Sequence, residues 1–161
     1  MAINANPELC FTVRSNLIEI IHRGCICCTE IQIDGSSQIV FQQGNVDRLF
    51  YPRSALKYVQ ILPLIESGAV EYYQFNDKEL SIMCSSHNSE EHHLETVRSI
   101  LCKANLTEND LQCGGHTPIN EEAAFQYVRQ GITTPFRSHI YNNCSGKHAG
   151  FLALCKFLSH P

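Results

Sequence analysis

Between Gly44 and Ser54 the hydrophobic residues of this chain change their spacing, and that change limits the architectures open to it. Upstream, LIEIIHRGCICCTEIQIDGSSQIVFQQG is rich in branched apolar residues and is punctuated by the turn formers Arg23-Gly24 and Asp34-Gly35. The pattern predicts a meander of antiparallel strands. Downstream, Leu56, Val59, Leu62 and Ile65 recur at helical spacing, with Pro63 placed to kink the helix and Gly68 to stop it. Asp77 is expected to cap a helix through Met83. A second helix sets Leu94, Val97, Ile100, Leu101 and Ala104 on one face. Asn120 is expected to cap a helix through Tyr127, and a last helix groups Phe151, Leu152, Cys155 and Leu158. Strands first and helices after define an α+β class, an antiparallel sheet flanked by helices. Residues 1–161 suit a single domain. A few strands followed by several helices leave one sheet face waiting for a partner, and the last helix closes just before Pro161. The expectation is therefore an incomplete half of a larger fold.

Composition narrows the functional classes. The net charge is -4 with both signs scattered, which offers no basic stripe for nucleic acid and no polybasic block for a membrane surface. No apolar run approaches the roughly 18 residues of a membrane span, and MAINANPELCF lacks the basic start and apolar middle of a signal peptide. A cytoplasmic protein is expected. The 9 cysteines are odd in number and several lie in apolar runs, so they read as reduced thiols rather than a disulfide framework. Cys25 and Cys28 spell C-x-x-C, but on a strand they face opposite ways and read as core packing.

Three short stretches carry the residue types that chemistry needs. In YPRSALK, Ser54 and Lys57 stand at i and i+3, one helical turn apart, so a neutral lysine amine can accept the serine proton. The competing reading is a capping Ser54 and a solvated Lys57. NNCSGKHAG, from Asn142 to Gly150, gathers amides, a thiol, a hydroxyl, a lysine and a histidine where a loop enters a helix. Such a loop presents backbone N–H groups to a carboxylate or oxyanion, and Cys144 offers a thiolate to zinc. The alternative is a polar turn with an asparagine cap. CSSHNSEEHH places Ser85, Ser86, His87, His92 and His93 between two helices, where hydroxyl and imidazole can relay protons. Its spacing fits no standard zinc pattern, and Ser89 with Glu91 reads as helix capping.

Taken together, HRG at 22–24, YPRSALKYVQILPLIESGA, SSHNSEEHH, LQCGGHTPINEEAA and NNCSGKHAGFLAL resemble, in order and spacing, the type II thermolabile L-asparaginases of the rhizobial kind. The likeness runs from about Val13 to Pro161. It implies an amidohydrolase that converts L-asparagine to L-aspartate and ammonia, on a scaffold like that of serine β-lactamases and penicillin-binding proteins, which also use S-x-x-K. By this resemblance Ser54 is the nucleophile, Lys57 its base, and Ser86 the second serine that relays protons. Arg53 orients the substrate, with His87 and Asn143 beside it. Cys144 and Lys147 correspond to two zinc ligands, the lysine binding only as the neutral amine, and the metal tunes substrate binding rather than attack. Relatives are longer, and their second half supplies another ligand cysteine, an aspartate near it and an active-site lysine that have no counterpart here. The chain thus resembles the N-terminal half, to be used as a homodimer or completed by a missing C-terminal half. Two local departures are Ser86-His87-Asn88-Ser89-Glu90, where relatives commonly read S-H-S-G-E, and Tyr58 in place of a proline. The alternatives are a non-catalytic remnant or interaction module, and a penicillin-recognising acyl-serine protein, which would be exported.

Overall fold

The computed structural model describes residues 6–132 and 136–160; Pro161, the far end of the family likeness, lies outside them. The chain divides into two compact units, Met1–Tyr51 and Pro52–Pro161. The first holds strands β1 (Glu8–Arg14), β2 (Leu17–Arg23), β3 (Ile26–Ile31) and β4 (Ser37–Gln43). These pair as two antiparallel hairpins, β1 with β2 and β3 with β4, and not as the single meander and sheet expected. A two-residue turn at Ser15 and Asn16, with φ of 47° and 68°, closes the first hairpin. Two successive positive φ values give the turn whose twist matches the flanking strands. Gly35, at φ 81°, turns the second, helped by Asp34 Oδ1 accepting the Ser36 N–H at 2.9 Å. Arg23-Gly24 does not form the predicted hairpin turn. Arg23 pairs back onto Glu8, and the Gly24 N–H bonds the Pro7 carbonyl at 3.2 Å, so β2 never reaches β3.

Nearly every strand residue is exposed, on both faces. Leu17 retains 74% of its surface and Ile31 78%. Cys25 and Cys28, expected in a core, are exposed, because a two-stranded ribbon has no buried face to offer them. All nine cysteines are free.

The second unit is helical: α1 (Lys57–Gln60), α2 (Leu62–Glu66), α3 (Ala69–Tyr73), α4 (Asp77–Met83), α5 (Glu91–Lys103), α6 (Glu121–Arg129) and α7 (Ser145–Phe157). Short 3-10 turns occupy Arg53–Leu56, Glu108–Asp110 and His139–Tyr141. The long helix expected after Ser54 is broken at Ile61, and Pro63 sits in the first turn of α2, where its missing N–H costs nothing. The break also moves the buried face. Leu56, Val59, Leu62 and Ile65 are exposed, whereas Lys57, Ile61 and Leu64 point inward. Asn76, not Asp77, caps α4, through reciprocal bonds with Glu79, while Asn120 caps α6 as its sequence predicts.

α5 buries the predicted stripe of Leu94, Val97, Ile100 and Leu101, with Ala104 just beyond it. α7 packs against α4 and α5 through Ser145, Gly146, Ala149, Gly150 and Ala153, a face of small residues and not the predicted Phe151, Leu152, Cys155 and Leu158. A β-carbon on Gly146 would stand 2.7 Å from the Ile82 carbonyl oxygen, so the close approach of α7 to α4 requires glycine there. Among the described residues no helix is long and apolar enough to cross a membrane.

Candidate active site

Ser54 does not cap a helix. It lies inside the 3-10 turn, whose cap is Pro52, and the Lys57 N–H bonds the Ser54 carbonyl. Lys57 follows the turn directly and opens α1, three residues after Ser54. Arg53, just before the serine, has φ 48°. A left-handed conformation in a residue with a β-carbon costs about 1 kcal/mol, and such strain gathers where a backbone must present a reactive side chain. Arg53 and Ser54 are both exposed.

Lys57 is 2% exposed. Its Nζ donates to the Ser85 carbonyl and to Ser86 Oγ, both at 2.7 Å. Among the described residues it has no carboxylate partner. The structure thus joins two residues that the sequence separates by 29 positions, Lys57 and Ser86. Ser86 lines an open cleft of about 670 Å³ with Ser85, His87, His92 and His93; Ser54 is not among its lining residues. A hollow of about 730 Å³ lined by Tyr72, Tyr73, Lys103 and Phe157 shares no residue with this one and holds none of the expected site residues.

His87 is buried at 2% exposure, and both its ring nitrogens are taken by protein groups. The Ser89 N–H donates to Nδ1 at 3.1 Å, so the ring proton sits on Nε2 and is donated to Ser145 Oγ at 2.8 Å. Ser145 in turn donates to the Ile140 carbonyl at 3.0 Å. Burial pushes the imidazole down to about 4, helped by the positive fields of His93, Lys57 and His116. It is therefore a neutral strut between the Ser86 loop and the start of α7. Ser89, which relatives replace by glycine, has φ 60°, and its hydroxyl donates to the Tyr141 carbonyl at 2.7 Å. Glycine suits this left-handed position, and serine adds a buried hydrogen bond in exchange for strain.

Asn143 works through its main chain. Its carbonyl accepts the His87 N–H at 3.1 Å, and its own N–H donates to His116 Nε2 at 3.0 Å. The other ring nitrogen of His116 then donates to the Thr117 carbonyl at 2.7 Å. Cys144 is the N-cap residue of α7, half-buried, and makes no capping bond with its side chain. Asn142 holds it in place, accepting the Cys144 N–H on Oδ1 at 2.8 Å. Lys147, half-buried one turn into α7, lies over the Phe151 ring at 5.6 Å. His148 beside it is lowered by burial first and then by Lys147 and Lys57.

Hydrogen bonds therefore link Lys57 to Ser86, His87 to Asn143 and Ser145, and Asn142 to Cys144, in three sets joined only by chain neighbours, while Lys147 packs on Phe151 and Arg53 and Ser54 stand exposed. Sequence reasoning passed over Cys113, His116, Asn142, Ser145 and His148 as members. All five lie within LQCGGHTP or NNCSGKHAG, so the motifs flagged their segments, but residue type alone does not name a partner.

The site thus sets a buried amine on the Ser86 hydroxyl, with Ser54 three residues before that amine in the chain. The chain belongs to the L-asparaginase II family, whose model matches residues 11–161. Among curated proteins, none matches it.

Proposed function

We propose that this chain carries the nucleophilic half of an amidohydrolase that converts L-asparagine to L-aspartate and ammonia, on a fold of the serine β-lactamase type. The observation that supports it most is the buried Nζ of Lys57, bonded to Ser85 and Ser86 with no acidic partner among the described residues. A neutral amine has two hydrogens and one lone pair. The carbonyl of Ser85 and the hydroxyl of Ser86 use the two hydrogens, and the lone pair is left for the proton of Ser54. Ser54 Oγ then attacks the side-chain amide carbon while its proton passes to Lys57. Backbone N–H groups hold the oxyanion. The carbon–nitrogen bond breaks as Ser86 delivers a proton to the leaving ammonia and is resupplied by Lys57. Water cleaves the resulting ester by the reverse relay, freeing aspartate and Ser54.

Arg53, exposed beside the nucleophile, supplies a cation for the substrate carboxylate. His87 and Asn143 act as positioning residues, since their polar groups bond to the protein. Cys144 and Lys147 are suited to zinc: the thiol at the start of α7 is a soft donor, and the lysine has no carboxylate partner among the described residues. A bound zinc would add a positive charge that tunes substrate binding. A second reading, an interaction module completed by another chain or a second copy, is favoured by the apolar residues exposed on both faces of β1 to β4.

The test is ammonia release from L-asparagine. Ser54→Ala is expected to abolish turnover with the circular-dichroism spectrum unchanged, and Lys57→Ala to lower it by ~10²–10⁴. Turnover retained in Ser54→Ala would defeat the proposal.

A further inference from the structure

Of the two serines, only one meets the cleft. Ser86 is exposed and lines the space of about 670 Å³, with Asp77, Glu95, Thr96, His92 and His93 on its walls, whereas Ser54 is not among its lining residues. A substrate held by both serines is therefore divided: the acyl carbon that Ser54 attacks stays outside the cleft, and the amide nitrogen that Ser86 protonates stands at its edge. Ammonia, close in size to water at ~30 Å³, would leave nearly all of that space unused. The walls are mostly acceptors. The Ser85 hydroxyl gives its proton to the Ser81 carbonyl and the Thr96 hydroxyl gives its own to the His92 carbonyl, both at 2.6 Å, so only their lone pairs remain for a ligand. Asp77 and Glu95 have no ion-pair partner among the described residues. The donors that oppose them are the Lys78 ammonium and the ring N–H of His93, whose Nδ1 accepts the Glu90 N–H at 3.2 Å.

We propose that this cleft is a leaving-group subsite, and that the chain cleaves asparagine side-chain amides whose nitrogen carries a cationic substituent: β-aspartyl amides of diamines, or of another amine that keeps an ammonium group after acylation. This rests on the amidohydrolase reading and extends it from ammonia to larger amines. The step balances as it does for asparagine. Ser54 Oγ bonds to the acyl carbon, the carbon–nitrogen bond breaks, and Ser86 supplies the proton that turns the leaving nitrogen into a free amine. Lys57 resupplies Ser86, and water cleaves the ester to give aspartate. The far ammonium of the substituent then lies among Asp77, Glu95 and hydroxyl oxygens whose protons are already spent. With neutral imidazoles, two carboxylates and one lysine leave the walls negative, so a substituent ending in a carboxylate would meet like charge.

The experiment measures kcat/KM of the full chain by aspartate release, above neutral pH, where an ordinary imidazole, at about 6.5, is uncharged. The substrates are L-asparagine, N4-(2-aminoethyl)-L-asparagine and β-L-aspartylglycine. The aminoethyl amide is expected to be hydrolysed at least as well as asparagine and about tenfold better than aspartylglycine, whose substituent is of similar length but ends in a carboxylate. That comparison needs no variant to fold. In the double variant Asp77→Asn, Glu95→Gln, altered at two exposed positions, the preference is expected to fall most of the way to parity. If asparagine is hydrolysed while both substituted amides are refused, if the two are cleaved equally or in the reverse order, or if the preference survives the double substitution, the inference is overturned and the asparaginase reading stands. If none of the three yields aspartate, that reading fails and the inference with it.

Discussion

Four histidines, His87, His93, His116 and His139, each accept a backbone N–H through one ring nitrogen, and an imidazole can do so only while that nitrogen is unprotonated. His87 is the most deeply set, held at about 4 by burial and by the fields of His93, Lys57 and His116. In the unfolded chain an imidazole titrates near 6.5. As the pH falls below that value the unfolded chain takes up a proton that the folded chain refuses until about 4. The contribution of His87 to stability is therefore complete above pH 6.5 and lost between there and 4, a loss of about 3 kcal/mol. Urea midpoints followed from pH 7 to 4.5 are expected to fall more steeply for the native chain than for His87→Gln. Parallel curves would show that His87 is not the neutral strut described. At this scale Ser54 and Lys57 were singled out by their spacing and Ser86 by its motif, and the family resemblance supplied their expected roles. The contact between Lys57 and Ser86 was beyond it, because loop closure over 29 residues leaves no local signature.

Among the elements, α5 was the most legible, because large apolar residues at helical spacing have one way to be buried. α7 was read on the wrong side. Its large residues, Phe151 and Leu152, suggested a core face, but the close approach to α4 is made by Gly146, Ala149, Gly150 and Ala153, and a stripe of small residues carries little hydrophobic signal. The helix after Ser54 was likewise read on its larger apolar stripe, while the inward face runs through Lys57, a residue that composition assigns to solvent. These two errors share a cause: in both helices the buried face is not the one with the largest apolar residues. The two α7 glycines differ in what they meet. A methyl group at Gly146 would press on the rigid Ile82 carbonyl at 2.7 Å, whereas one at Gly150 meets the side-chain ends of Ile61 and Met83 at 2.9 and 3.0 Å. Gly146→Ala is expected to destabilise by about 1–3 kcal/mol and Gly150→Ala by less, as measured by denaturant midpoints. Equal costs would contradict the packing described for α7.

For the molecule as a whole, the α+β class follows from the order of patterns, but strand pairing does not. Alternating apolar residues in β1 to β4 permit a four-stranded meander as well as two ribbons, and only the Ser15-Asn16 turn and the Gly24 bond to Pro7 choose between them. Two-stranded ribbons are marginally stable alone, and these expose Phe11, Leu17, Ile31 and Phe41. Sedimentation velocity is expected to show species heavier than the 18.2 kDa chain, reduced by replacing Phe11 and Phe41 with lysine. A monodisperse 18.2 kDa species would count against the second reading, in which a partner covers the strands. The proposed chemistry needs one hydroxyl, on Ser54, activated by one buried amine, on Lys57. Intact-mass and peptide analysis of the chain quenched in acid during incubation with L-asparagine tests this most directly: an aspartyl ester on the peptide containing Ser54, absent in Ser54→Ala, is the predicted result, and ammonia release with the ester on another residue or with none would contradict it.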